Sequence, residues 1–579
     1  MDSKRKNVKR NDIISILVLL VLIIVVNVIS SVVYTRFDLT SEKRYTLSET
    51  SKDILRNLDD YVYFRVYLEG DFPAGFKKLR KETKEMLDEF RAYSKFIDYE
   101  FINPSESNDA AERSETYKLL YQSGLNPTEL AIQTKEGSQQ IVIWPCVLLS
   151  YREKEMPIDL LDTQLGKSSE AVLNNSIQNL EYKFISAIKD ISVQNKPSIA
   201  FIEGHGELNE NEVFDITKTL SKKYSVKRIT IDEQISALNR RTKRADSTTV
   251  IEPIYDAIVI AKPTQPFSEK DKFIIDQYVM YGGKVLWLID PVSATMDSLM
   301  NSESTMGTAL DLNLDDQLFK YGVKLNKNLL LDYNCAAIAL RTGQIGGQAQ
   351  IEYYRWYYFP LLNAASKNPI VNNINLLKAD FISSMEATTS SPGIQKIPLL
   401  RTSDYTKISG VPVFITLGIL KQPADQRMFS QKGQMVAYLL KGRFESLYAN
   451  RMATAIVESD EIGFKEESVP TSMIVVADGD IIRNQFHIPQ GYPLPLGFDQ
   501  YTQVTYGNKD FIENAISYLV DGEGLISIRS RELKIRLLDM NKVNNNTMLW
   551  QILNVVVPSV IVIIFGLVFA FVRKRKYTK

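Results

Sequence analysis

Ser198-Ile199-Ala200-Phe201-Ile202-Glu203-Gly204-His205-Gly206-Glu207 decides the fold. A short apolar run closed by charges and glycines reads as a strand buried on both faces. The pattern recurs at 256–261 and at 284–289, which ends in Asp290-Pro291. Around these runs, 212–223 and 268–281 have helical apolar spacing, and 225–231 reads as a further strand. Gly282-Gly283 stops the second helix. Strands alternating with helices predict a doubly wound α/β domain, a parallel sheet covered on both faces. Strands return at 434–440 and 473–477, and a helix follows at 511–520. Between 292 and about 430 the text is rich in Ser, Thr and Gly and predicts an irregular insertion around the aromatic run 353–359.

Toward the N-terminus, Thr46 and Glu49 form a T-x-x-E capping box, so a helix is expected to run to about 58. Strand patterns follow at 61–68 and 97–102, helical ones at 76–96 and 110–122, and a strand-rich stretch at 129–159. This order predicts a small α/β domain with a thioredoxin-like layout. No C-x-x-C accompanies it, so no redox activity is implied. A helix at 178–193 is expected to lead into the second domain. The expected division is a first α/β domain over 34–175 and a doubly wound domain over 176–540, with 533–538 as its last folded piece.

Both ends of the chain are apolar. Residues 13–33 and 552–572 carry no charge and are each long enough to cross a hydrocarbon core of roughly 30 Å. Lys4, Arg5, Lys6, Lys9 and Arg10 precede the first span; Arg573, Lys574, Arg575, Lys576 and Lys579 follow the second. The positive-inside bias places the tails 1–12 and 573–579 in the cytoplasm and everything between the spans on the far side. The first run exceeds a signal-peptide core, which favours an uncleaved anchor. The chain has equal numbers of basic and acidic residues; without the ten basic and two acidic tail residues the remainder is near −8. That disfavours a nucleic-acid partner. Cys146 and Cys335 exclude a disulfide framework, and two histidines are too few for a typical zinc or iron site, so no metal or cofactor is expected.

Ligands of doubly wound sheets bind at the carboxyl ends of the strands. The residues leaving those ends are Glu203, His205, Glu207, Asp290, Asp478 and Asp480. Carboxylates beside an imidazole suit acid–base work or ligand binding; loop and cap formation explains the same residues. Gly166-Lys167-Ser168 resembles the end of a P-loop, but Leu161 stands where its first glycine belongs. No G-x-S-x-G elbow occurs, and the strand 256–261 ends in Lys262-Pro263 without a nucleophile, which argues against a hydrolase. The run 353–359 suits sugar stacking or a buried strand equally. Asn27, Ser30 and Ser31 in the first span, and Asn554, Pro558 and Ser559 in the second, are candidate contacts with a partner's membrane helices or with each other.

Phe37-Asp38-Leu39-Thr40, Leu47-Ser48, Ile202 to Glu207, Gly282-Gly283 to Asp290-Pro291, Val436 to Phe444 and Asp521 to Ile526, with Arg531 beyond, lie in order between the terminal helices. In these features the chain resembles the GldG family, the auxiliary, often substrate-binding-labelled component of the ABC transporter associated with bacterial gliding motility. The resemblance implies an inner-membrane protein with its bulk in the periplasm, an ABC permease and a cytoplasmic ATPase as partners, and a glutamine-amidotransferase-like middle domain lacking its nucleophile. The expected function is a non-enzymatic accessory subunit that couples the membrane partners to a periplasmic domain. A solute- or glycan-binding subunit is the alternative, and a degenerate hydrolase a third reading.

Overall fold

The computed structural model describes residues 14, 16–25, 46–134, 137–162, 168–193, 195–244, 249–300, 302–345, 348–389, 391–421, 424–488, 490–522, 524–530 and 546–577. Two compact units emerge, one joining residues 1–44 to 532–579 and the other spanning 45–531.

The larger unit is built on a ten-stranded sheet. Its order runs Ser225–Thr230, Ser198–Glu203, Ala257–Ala261, Val285–Leu288, Thr471–Val476, Met435–Gly442, Ile394–Arg401, Gln348–Ala364 and Cys335–Ile345, with Leu377–Lys378 pairing off this path. The first five are mutually parallel. From Thr471–Val476 onward every pairing is antiparallel. Each residue of Ala257–Ala261 is buried, as an apolar strand covered on both faces requires. Alternate strand residues feed two cores. On one face Phe201, Val259 and Leu286 meet Ile216 and Leu220 of the Phe214–Leu220 helix and Phe511, Ile512 and Ile516 of the Asn508–Asp521 helix. On the other, Ile258, Ile260 and Trp287 meet Ile274, Tyr278 and Val279 of the Glu269–Met280 helix.

That last helix shows how the sequence punctuates the fold. Ser268 caps it, its Oγ accepting from the Asp271 amide at 3.1 Å, and Glu269 and Asp271 place negative charge at the positive end of the helix dipole. At the other end Gly282 takes φ +98°; its amide bonds Val279 O and the Gly283 amide bonds Tyr278 O. This pair of bonds is the Schellman arrangement, which favours glycine at the left-handed position.

The smaller layer of this unit has a four-stranded sheet, ordered Ile97–Phe101, Val62–Val66, Cys146–Tyr151, Lys154–Asp159. Its first pair is parallel and the others antiparallel. Phe64, Val66 and Leu149 pack against Leu79, Leu87 and Phe90 of the Ala74–Tyr93 helix. Phe184, Ile185 and Ile188 of the Leu180–Ser192 helix close the same core, and the chain then enters the Ser198–Glu203 strand.

Several local expectations need correcting. The first helix is Glu49–Arg56, and its N-cap is Ser48, which accepts from the Ser51 amide at 3.0 Å, two residues beyond the expected Thr46. The helix expected at 178–193 is observed as Leu180–Ser192, and a further helix that was not expected, Ser169–Gln178, precedes it across Asn179. The helix expected at 212–223 is shortened to Phe214–Leu220. The region after 292 is far from irregular: Cys335–Ile345 and the 17-residue Gln348–Ala364 form a long antiparallel ribbon. The Arg341-Thr342-Gly343-Gln344 run, where the pairing register shifts, reads as loop in the sequence. The stretch 533–538 and the Gly166-Lys167 pair lie outside the described residues.

In the smaller unit, Thr547–Arg575 is a continuous 29-residue apolar helix with mean hydropathy 3.0 in its most apolar window, long enough to cross a membrane. Near the N-terminus, Ile16–Val25 is a shorter apolar helix.

Candidate functional site

The parallel strands deliver their carboxyl ends to one rim, where the chemistry-bearing side chains form two networks. The first surrounds His205. Its Nδ1 lies 3.3 Å from Glu207 Oε1 and its Nε2 lies 3.0 Å from Asp271 Oδ2. The ring stacks on Phe267 with centroids 3.8 Å apart. Glu207 also accepts from the His205 amide at 2.7 Å, and Asp271 from the Glu233 amide at 2.9 Å. Burial pulls the imidazole's proton affinity down, but the hydrogen bonds and charges of Glu207 and Asp271 outweigh it, and the net shift is upward. Glu203 joins neither carboxylate; it pairs with Arg228 Nε at 2.5 Å, and Arg228 also bonds Leu208 O.

The second network centres on Lys262, held at φ +55° directly after the buried strand. Its Nζ lies 3.2 Å from Asp290 Oδ2 and bonds Asp480. Asp290 accepts from the Gly479 amide. Gly479 is required for this closeness, because a Cβ there would stand 2.6 Å from Lys262 Cβ. Asp478 is fully buried and accepts from the Asp380 and Asp480 amides at 3.1 and 2.8 Å. Burial pushes the Asp290 carboxyl up to about 6, with Lys262 opposing and Asp480 reinforcing the shift. Asp478 rises well above its ordinary value, through burial first and then the Asp290, Asp480 and Asp380 charges.

The structure therefore brings Asp290, Asp478 and Asp480 together, places Glu207 with His205, and leaves Glu203 with Arg228. Lys262, Asp271 and Arg228 complete these networks. Lys262 carried the same strand-end signal as the acids, whereas Asp271 was disguised as an ordinary first-turn acid. Among the described residues, no cluster of three or more His, Cys, Asp or Glu forms a metal site.

Beside Asp480 opens a cleft of about 420 Å³. Ile338, Leu340, Phe359 and Phe498 give it apolar walls, and Lys378, Asp380, Asp480, Arg483 and Asn484 a polar side. Arg483 pairs with Glu212 at 3.0 Å and Lys378 with Asp380 at 3.3 Å. Asn484 is 3 % exposed, and its Oδ1 accepts no hydrogen bond among the described residues. In the aromatic run, Trp356, Tyr357, Tyr358 and Phe359 are buried in a core, while Tyr353 is exposed and donates to Tyr501 O at 2.9 Å. The four buried rings serve the strand, and Phe359 reaches the cleft only as part of its wall.

Of the membrane candidates, Asn554 Nδ2 donates to Trp550 O at 2.9 Å and Ser559 Oγ to Val555 O at 2.8 Å, each within its own helix. Pro558 follows a π-helical turn over Ile552–Val556. A proline without an amide, crowding the carbonyl four residues back, accounts for that widening. Asn27, Ser30 and Ser31 lie outside the described residues.

Comparison with known proteins joins this architecture to a family. An uncharacterized protein of Borreliella burgdorferi is 21% identical over 575 residues, covering 98% of this chain and 99% of that one. The N-terminal domain of mmIFT52 aligns with 56% of this chain and 97% of its own length at 11% identity, with a TM-score of 0.30, which supports no fold argument. Residues 41–150 match a domain of unknown function, DUF7088. Residues 196–515, which contain the parallel strands, both rim networks and the cleft, match the model described as "ABC-type uncharacterized transport system". With more than half of its length under that model, the chain belongs to this family of ABC transport-system auxiliary components.

Proposed function

We propose that the protein is a non-enzymatic, membrane-anchored accessory subunit of an ABC transporter of the gliding-motility-associated kind. It would have both termini in the cytoplasm, two spans and its bulk in the periplasm, with an ABC permease and a cytoplasmic ATPase as partners. In fold terms, the first layer is a thioredoxin-like domain and the parallel half an amidotransferase-like domain without a nucleophile. The observation that carries the reading is the state of the rim: both His205 nitrogens, Glu207, Asp271 and Lys262 are engaged with one another or with Asp290 and Asp480. Groups engaged in internal ion pairs hold strand ends in place, which supports a structural role for the rim. The Thr547–Arg575 helix, with its long uncharged stretch 552–572, and the basic clusters at the two ends of the chain support the anchoring.

Affinity purification of the full chain from its native membrane tests this. A permease and an ATPase should accompany the wild type and a His205→Gln variant alike. Recovery of the chain alone, or a hydrolytic turnover abolished by His205→Gln, would overturn the proposal. The unpartnered Asn484 Oδ1 facing an apolar-walled cleft favours a second reading, a solute- or glycan-binding subunit. Saturable glycan binding lost in Asn484→Ala would support it.

A further inference from the structure

A second cavity lies away from the rim, where the first layer meets the helices of the central sheet. It measures about 220 Å³. Asn179 and Lys183 border it from the first layer, Lys223 follows the Phe214–Leu220 helix, Asp510 and Glu513 sit on the Asn508–Asp521 helix, and Arg529 lies beyond that helix. Buried surfaces between layers are ordinarily apolar or fully hydrogen-bonded. This one is neither.

Some of its charges are already committed. Lys183 Nζ pairs with Asp162 at 2.8 Å and also donates to Asp159 O and Leu160 O. Lys223 pairs with Asp190 at 3.1 Å. The remaining groups are Asp510, Glu513 and Arg529. No ion pair or hydrogen bond ties either carboxylate to a described neighbour, and they stand three residues apart, on one face of a helix. Asp510 is exposed and Glu513 half-buried. Arg529 Nη1 bonds Asn514 Oδ1, and its guanidinium lies 5.6 Å from the Tyr182 ring.

Two buried polar atoms at the cavity have no partner among the described residues, and they are of opposite kind. Asn179 is 2 % exposed; its Nδ2 donates to Asp162 at 2.6 Å, while its Oδ1 accepts nothing. Arg529 Nε donates to nothing. An orphaned buried acceptor or donor is costly, so a filled cavity is more stable than an empty one. The occupant must bring donors to the acidic side and an acceptor to Arg529.

We propose that this cavity is a binding site for a small zwitterion of the amino-acid or short-peptide class, its ammonium set against Asp510, Glu513 and Asn179 Oδ1 and its carboxylate against Arg529. Two uncommitted carboxylates against one guanidinium leave an excess negative charge, so the ammonium is the stronger determinant. Burial raises the proton affinity of Glu513, with Lys223 opposing the shift and Asp510 reinforcing it, and an ammonium beside the carboxylate would stabilise its charged form.

Calorimetric titration of the full chain in nanodiscs tests the assignment. The probes are L-alanine, L-lysine and L-alanyl-L-alanine, with N-acetyl-alanyl-alanine and alanyl-alanine amide as controls. At least one zwitterion should bind saturably; which of them binds separates a free amino acid from a peptide. Blocking the amine should weaken binding about tenfold or more, and blocking the carboxylate by a smaller factor. Glu513→Gln should reproduce the first loss and Arg529→Gln the second. Asp510→Asn, at the exposed mouth, provides a variant that keeps the fold if Glu513→Gln does not. The proposal is overturned if no zwitterion binds, if the N-acetyl peptide binds equally, or if Asp510→Asn and Glu513→Gln leave affinity unchanged.

Discussion

Lys262 holds the rim together at the scale of single residues. Its ammonium is the direct ion-pair partner of both Asp290 and Asp480, and all three are nearly inaccessible to water. Removing one member of a buried ion pair leaves an uncompensated charge and costs about 3–5 kcal/mol. Lys262→Met should therefore lower the unfolding free energy read from denaturant titration by that order, and adding Asp290→Asn should restore part of it. Proton binding gives a second expectation. Folded Asp290 releases its proton near pH 6, whereas an unfolded aspartate does so at about 3.9. Between these values the folded state holds more protons, so stability falls as pH rises from about 4 to about 6 and levels off above. The raised His205 has the same sign: its contribution is whole below about 6.5 and is lost as pH passes its higher folded value. Denaturant titrations from pH 4 to 8 should show stability declining throughout. Asp290→Asn should flatten the acid part only, and an undiminished acid slope in that variant would refute the assignment. The candidate acids were legible because strand ends announce themselves in sequence; their partners Asp271 and Arg228 were not, because their roles depend on which strands and helices become neighbours.

Single elements were most legible where local punctuation and burial agreed. Ser268, the apolar face of 269–280 and the Gly282-Gly283 stop produce the helix that was expected, and the fully buried Ala257–Ala261 strand needed no long-range information. Legibility failed where tertiary partners set the boundary. The Ser169–Gln178 helix was missed; it ends at Asn179, whose side chain bonds Asp162. The Gln348–Ala364 strand is longer than its composition suggested because it pairs with Cys335–Ile345 along one stretch and with Ile394–Arg401 at its end. Capping allows a test at this scale. Ser268 satisfies the Asp271 amide, so Ser268→Ala should destabilise the chain by about 1 kcal/mol. Since Asp271 also holds His205, the same variant should shift the His205 imidazole resonance in NMR titration. An unchanged resonance would mean the cap and the rim are independent.

Across the whole molecule, the parallel half is completed by a strand that arrives late. Val285 pairs with Met473, Leu286 with Ile474 and Trp287 with Val475. The intervening chain supplies the antiparallel half of the same sheet, and the Asn508–Asp521 helix then covers one face. A chain ending at residue 470 should consequently leave Val285–Leu288 unpaired on one edge, and limited proteolysis should cut 257–289 rapidly where the full chain resists. Resistance in the shortened chain would show that the early strands are self-sufficient. The same arrangement governs the order of events during synthesis. Loop closure over so long a separation is slow relative to local helix and hairpin formation. Four parallel strands and the Ser48–Glu181 tie of the first layer (2.8 Å) can form while the ribosome is still working. The sheet centre stays open to non-native pairing until residue 476 has emerged, so the nascent chain has an interval in which a chaperone, or a slow stretch of translation, decides its yield.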